Sequence, residues 1–316
     1  MMCESRVMYQ MTSRERLLCV LRGDIPDRVP VSTYELVGYD THNFCNKEPS
    51  YKNLMDFIRE KTDCICMWNP SGNEHLMASA YQPDISSRRT NLEDGYEDCV
   101  TLRIGNKTLC SRQRVIDNIY TVWHTELLCK TSEDVEAILS LPYEPVSYDA
   151  SDALRIESEV GQNGIIMSSI SDPAGYAMAL MEFGEATVWA MTETEHFASV
   201  VERLHERMMT NLERMLDAYK ADLYRICGPE YLTPPYLPPQ FFEKFVVPYV
   251  REMTELIHSR GSMVRLHSHG RIGRLLDMIA QTGVDGWRRM ARDRAYRRGR
   301  RFVLICHASI ACAPYA

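Results

Sequence analysis

The sequence predicts an α/β fold of the TIM (β/α)8-barrel type, incomplete at five recognisable units and interrupted by antiparallel hairpins after its second strand. Three observations carry this. Short apolar strands alternate with helical stripes, so successive strands need crossovers and lie parallel. The segment Asp63-Cys64-Ile65-Cys66-Met67-Trp68-Asn69 is apolar almost throughout, as in a strand covered on both faces. From about 81 to 130 the pattern changes to Thr101-Leu102-Arg103-Ile104 and Thr121-Val122-Trp123-His124 around the turn signal Gly105-Asn106, which reads as hairpins.

Thr12-Ser13-Arg14-Glu15 forms a capping box, because the threonine hydroxyl and the glutamate carboxylate can each satisfy an amide at the start of a helix. Leu17, Leu18 and Leu21 line that helix, and Gly23 ends it. Val29-Pro30-Val31-Ser32-Thr33-Tyr34-Glu35 is the first expected strand, with Pro30 near its start. A helix carrying Leu54, Phe57 and Ile58 leads to the second strand at 63–69. After the hairpins, a helix from Ser132 stops before Pro142, and 164–170 is the third strand. Thr192 and Glu195 are expected to cap a long helix whose stripe is Phe197, Val200, Val201, Leu204, Met208, Leu212 and Met215. Strands at 221–227 and 262–267 follow, separated by a helix that Pro238-Pro239 opens, Pro248 bends and Gly261 stops.

The chain has 316 residues and 45% apolar content, enough for one large barrel. No run approaches a membrane span, and the polar first residues do not read as a secretory signal. Eleven scattered cysteines read as reduced thiols of a cytoplasmic protein. Net charge is −7, but residues 287–316 hold eight arginines against one acid, leaving −14 on residues 1–286. An acidic body argues against a nucleic-acid groove and suits a small-molecule enzyme.

Several stretches resemble the uroporphyrinogen decarboxylase superfamily, over about residues 11–286. These are 12–16 with 23–31; Tyr231-Leu232-Thr233-Pro234-Pro235 with 241–249; and His267-Ser268-His269-Gly270-Arg271-Ile272 before Gly283-Val284-Asp285-Gly286. The superfamily joins decarboxylases to corrinoid-linked methyltransferases. The decarboxylases carry an arginine-rich R-Q-A-G-R-Y segment where this chain reads Ser32-Thr33-Tyr34-Glu35-Leu36-Val37-Gly38-Tyr39, so a carboxylate-rich tetrapyrrole would meet Glu35. The methyltransferases carry His-x-Cys-Gly at the fifth strand and hold zinc, which lowers the pKa of a thiol acceptor. Here His267 and His269, two apart on a strand, point the same way. The resemblance therefore implies metal-assisted methyl transfer involving a thiol or a corrinoid, with zinc as the metal and the corrinoid on a separate protein. Decarboxylation of a porphyrinogen or smaller acid is the alternative.

After Gly286 the family's acidic, proline-rich continuation is replaced by the arginine-rich segment. That points to a frame change or deletion, with a genuine basic tail or a short strand at 302–305 as the rival. Residues 1–286 would then be the barrel unit and 287–316 foreign to it. A catalytically inactive fragment, leaning on a second copy as a homodimer, is the third reading.

Barrel sites gather at the C-terminal ends of strands. That rule selects His267 and His269 as metal ligands or hydrogen-bonded histidines. It selects Glu230 as third ligand, general base or solvated acid, and Asp172 as a catalytic acid or a helix cap. Glu35, Trp68, Asn69, Ser169 and Tyr231 are the expected substrate contacts.

Overall fold

The computed structural model describes residues 10–33, 36–41, 43–119, 121–288 and 303–304. Glu35 lies outside them, as does all of the arginine-rich segment apart from the backbone at 287–288 and 303–304.

The capping box holds. Helix α1 (Ser13–Leu21) starts with Thr12 Oγ1 accepting from Glu15 N and Glu15 accepting from Thr12 N. Arg16, on the same helix, is only 3% exposed. Its guanidinium grips Asp27 and, at 2.6 Å, Asp63. Asp63 is fully buried and also accepts from Arg28 and from the amide of Val31. The expected first strand at 29–35 is not formed over the residues described there. Pro30 offers no amide and the Asp63 side chain takes the amide of Val31; among the described residues the pairing there is confined to a bridge at Thr33 and the bond from Asp63 N to Val31 O. Helices α2 (Phe44–Lys47) and α3 (Lys52–Lys61) follow, and then strand β1 (Cys64–Met67).

A two-residue strand β2 (Ser71–Gly72) precedes a four-stranded antiparallel sheet. Its members are β3 (Asp84–Leu92), β4 (Gly95–Ile104), β5 (Lys107–Ile116) and β6 (Val122–Glu126), in meander order. Leu102 and Leu109 pair across it and are buried, and through them one face of this sheet joins the main core.

Helix α4 (Ser132–Leu139), strand β7 (Tyr148–Asp149), which pairs β2, and helix α5 (Ala153–Val160) lead to β8 (Gly164–Ser171). Next come α6 (Pro173–Met178), α7 (Phe183–Thr192) and the 25-residue α8 (Thr194–Ala218). Thr192 is not the cap of α8. It closes α7 with its hydroxyl on Val188 O, and Glu193 stands between the helices. Strand β9 (Leu223–Cys227) is followed by α9 (Pro239–Phe245) and α10 (Val247–Ser259). Pro248 breaks what the sequence presents as one bent helix, because a proline ring clashes with the preceding turn. Strand β10 (Met263–His267), α11 (Leu276–Gln281), β11 (Gly286–Arg288) and β12 (Val303–Leu304) complete the described chain.

The parallel strands lie in chain order, β1-β8-β9-β10-β11-β12, with every pairing parallel. The fold is thus a mixed α/β fold on a six-stranded parallel sheet; among the described residues its two edge strands, β1 and β12, are not paired with each other.

Alternation along the strands gives the sheet two different faces. One carries Cys66, Ile166, Tyr224, Ile226, Val264 and Leu266 and packs with α8, α9 and α10 in the largest core. The ring of Phe197, fully buried on α8, lies edge-on to Trp189 at 5.0 Å and to Phe245 at 5.1 Å. The other face is covered at its N-terminal end by Leu17 and Leu21 of α1, which pack on Ile65, Ile165, Met167 and Leu223. Towards the C-terminal end that second face turns polar, with Ser169, Arg225 and Arg265 in one row by register and His267 beyond.

Candidate functional site

The ends of β8, β9 and β10 converge because their strands are neighbours in register. Ser169 sits beside Arg225, which sits beside Arg265. Arg225 and Arg265 are almost fully buried. Arg225 donates from Nε and Nη2 to the hydroxyl of Ser169 at 3.0 and 2.9 Å, which fixes the guanidinium plane.

At the C-terminal end of β10, His267 meets His269, which lies just beyond the strand on the loop that follows. Their Nε2 atoms are 2.7 Å apart and their rings are nearly perpendicular, at 77°. Glu230, on the turn after β9, brings a carboxylate to them, so that one donor atom from each of the three residues lies within 4.8 Å of the others. Among the described residues this is the one such group of three or more metal-capable side chains.

The loops that deliver these groups are fastened to one another. Thr233, fully buried, shares its one hydroxyl proton between two carbonyls, His269 O at 3.0 Å and Glu230 O at 2.9 Å. The amide of Arg271 binds Pro234 O at 2.9 Å. Gly270, at φ +89°, lets the chain turn over Thr233, whose Oγ1 would lie 2.4 Å from a Cβ there. Glu230 Oε2 accepts from Gly228 N at 3.0 Å. Burial raises the Glu230 carboxyl above its ordinary pKa, and the charge of Arg225 works in the opposite direction.

Asp172 stands behind Glu230 with its side chain wholly enclosed. The helix-cap reading holds: Oδ1 accepts from Ala174 N and Gly175 N at the start of α6. Its other oxygen packs against the glycine backbones of 228 and 175. Burial pushes this carboxyl up to about 8, opposed by the Gly175 amide and reinforced by the nearby Glu230 charge.

The remaining expected contacts are spread along the same edge. The Asn69 carboxamide pairs both ways with the backbone of Ser169, at 2.8 Å each, and ties the end of β1 to β8. Trp68 belongs to the helix-covered face, edge-on to Tyr219 at 4.8 Å. Tyr231 packs at 5.6 Å from Phe183, next to the Glu230 turn. Sequence patterns alone did not single out Arg225, Arg265 or Thr233. The period-2 rule places Arg265 on the same side as His267, and that was the available signal for it.

Beside Asn69 a cleft of about 370 Å³ runs along α8, lined by Glu74, Tyr148, Tyr176, Met208 and Met215 among others. No helix among the described residues is long and apolar enough to cross a membrane.

Comparison with known proteins gives one family. The model of uroporphyrinogen decarboxylase (URO-D) matches residues 125–301, more than half of the chain. No curated protein matches. A solved structure that does, a methyltransferase from Methanosarcina mazei, has 14% sequence identity and a TM-score of 0.48, over 88% of this chain and 75% of that one.

Proposed function

This chain belongs to the uroporphyrinogen decarboxylase family, and we propose that the ends of its β9 and β10 strands carry out metal-assisted methyl transfer involving a thiol or a corrinoid. The observation that carries the reading is the donor set of Glu230, His267 and His269, gathered within 4.8 Å.

Two imidazoles and a carboxylate suit zinc, and three protein ligands leave a fourth position for substrate, the arrangement of catalytic rather than structural zinc sites. Bound there, zinc would supply Lewis acidity that lowers the pKa of a thiol. The protein's own part is positioning. His267 and His269 face each other through Nε2, and at 2.7 Å one ring donates while the other accepts. Thr233 holds the His269 and Glu230 backbones in fixed relation, and the Gly228 amide orients the Glu230 carboxylate. Asp172 Oδ2 packs against the backbones of Gly175 and Gly228 beside the Glu230 turn. A small-molecule thiol is the acceptor in this reading, and the corrinoid arrives on a separate protein.

The test is elemental analysis of the purified chain joined to an assay of methyl transfer from a methylated corrinoid to a low-molecular-weight thiol. Stoichiometric zinc that is lost in His267→Ala and His269→Ala, with transfer lost in step, supports the reading. Release of carbon dioxide from a carboxylic acid substrate, unchanged in both variants, moves the chain to the decarboxylase side of its family.

A further inference from the structure

The antiparallel sheet holds a thiol pair that the reading above does not use. Thr101 on β4 stands opposite Cys110 on β5, and Cys99 stands opposite Arg112. Residues two apart on a strand share a face, so Cys99 and Cys110 are diagonal neighbours on one side of the sheet. The buried pair Leu102 and Leu109 belongs to the other side. The right-handed twist of paired strands brings one diagonal closer than the other. Here it sets the two Sγ atoms 3.1 Å apart, inside the contact distance of two sulfurs.

Both thiols are partly exposed, whereas Cys45, Cys64, Cys66 and Cys129 are buried. Burial pushes Cys64 and Cys129 up to about 12 and keeps them unreactive at neutral pH. The hydrogen bond to Cys99 and burial raise the Cys110 thiol above its ordinary pKa, opposed by the Arg112 cation, which is tied to Glu97 and Glu126 by ion pairs at the sheet surface. The pair lies outside the stretch that matches the family model.

We infer that Cys99 and Cys110 are a reversible oxidation site, closing to an intramolecular disulfide when the protein meets hydrogen peroxide or a low-molecular-weight disulfide. With peroxide, one thiolate attacks an oxygen. An S–O bond forms, the O–O bond breaks, and the departing hydroxide takes a proton to become water. The second thiol then attacks the sulfenic sulfur, the S–S bond forms, the S–O bond breaks, and a second water leaves. Two thiols lose two electrons and two protons, and peroxide gains them. With a disulfide oxidant, two successive exchanges release two equivalents of its thiol. The sulfurs must close from 3.1 Å to about 2.05 Å, which for diagonal neighbours takes a shift of the two strand backbones as well as side-chain rotation.

The test uses the full chain, exposed to hydrogen peroxide or oxidised glutathione, then denatured, alkylated, digested and mapped by mass. The expected product is a peptide joining Cys99 to Cys110, two hydrogens lighter than its reduced parts and separated again by dithiothreitol. Cys110→Ser should lose the crosslink and carry a sulfenic or glutathione adduct on Cys99 instead. The inference is overturned if both cysteines are still fully alkylated after oxidation, if either links only to another chain, or if a different pair forms first. The wild-type map decides it without relying on how the variant folds.

Discussion

Asp172 occupies the place where a side chain at residue 228 would begin: a Cβ on Gly228 would lie 2.1 Å from Asp172 Oδ2. Gly228 also has φ +115°, a conformation that side chains resist. Gly228→Ala is expected to destabilise the protein by about 2 kcal/mol or more, strain and clash together. Asp172→Ala by itself loses the α6 cap, so the relief of the clash is read as a Gly228→Ala penalty that is smaller in the Asp172→Ala background. Urea unfolding of wild type, both single variants and the double variant measures it, and an equal penalty in both backgrounds would contradict the coupling.

Thr233 bridges the loops after β9 and β10 without touching a donor atom of the candidate metal group. Thr233→Val keeps the shape and removes both hydrogen bonds. Zinc affinity should fall by about 10-fold or more, the effect of losing a group that orients ligands. A competition titration with a chromogenic chelator reads it. Unchanged affinity would mean that the loops keep their relation without this hydroxyl.

Asp27 governs an acid limb of stability. The hydrogen bonds from Arg16, opposed by desolvation and helped by the Met11 amide, hold its carboxyl well below the usual carboxylate range. A depressed folded value means that the contribution is fully present above the unfolded pKa, about 3.9, and is lost as pH falls through the folded one. Asp27→Asn should therefore lower the melting temperature at neutral pH and flatten its fall in acid. Parallel melting curves for wild type and variant across the acid range would refute this.

Phe197→Ala removes a fully buried ring that two aromatic neighbours hold edge-on. The transfer and cavity contributions together predict a loss of about 3–5 kcal/mol, measured by chemical denaturation.

The parts of the fold that sequence made visible are those where local chemistry and tertiary position agree. The Thr12–Glu15 box, the stop before Pro142 and the strands at 64–67, 164–171, 223–227 and 263–267 all fall where pattern and turn residues place them. The segment at 29–35 has β-branched residues too, yet the buried Asp63 competes for its amide, and periodicity is blind to a partner 32 residues away. Thr192 has the right chemistry for a cap, but its hydroxyl bonds back inside α7. At the site the rings of His267 and His269 do meet, but His269 lies past the end of β10, so the alternation of a strand is not what brings them together. That Glu230 joins them, and that Asp172 is enclosed behind it, depends on strand neighbours and on glycines at 175 and 228. A linear reading gives those no special weight.

The α1-covered face changes character along its length, from Ile65, Ile165, Met167 and Leu223 at one end to Ser169, Arg225 and His267 at the other. The hydrocarbon end acts as a floor. It offers nothing for water or a polar group to hold, so polar contacts on this face are confined to the end that carries Ser169, Arg225 and His267.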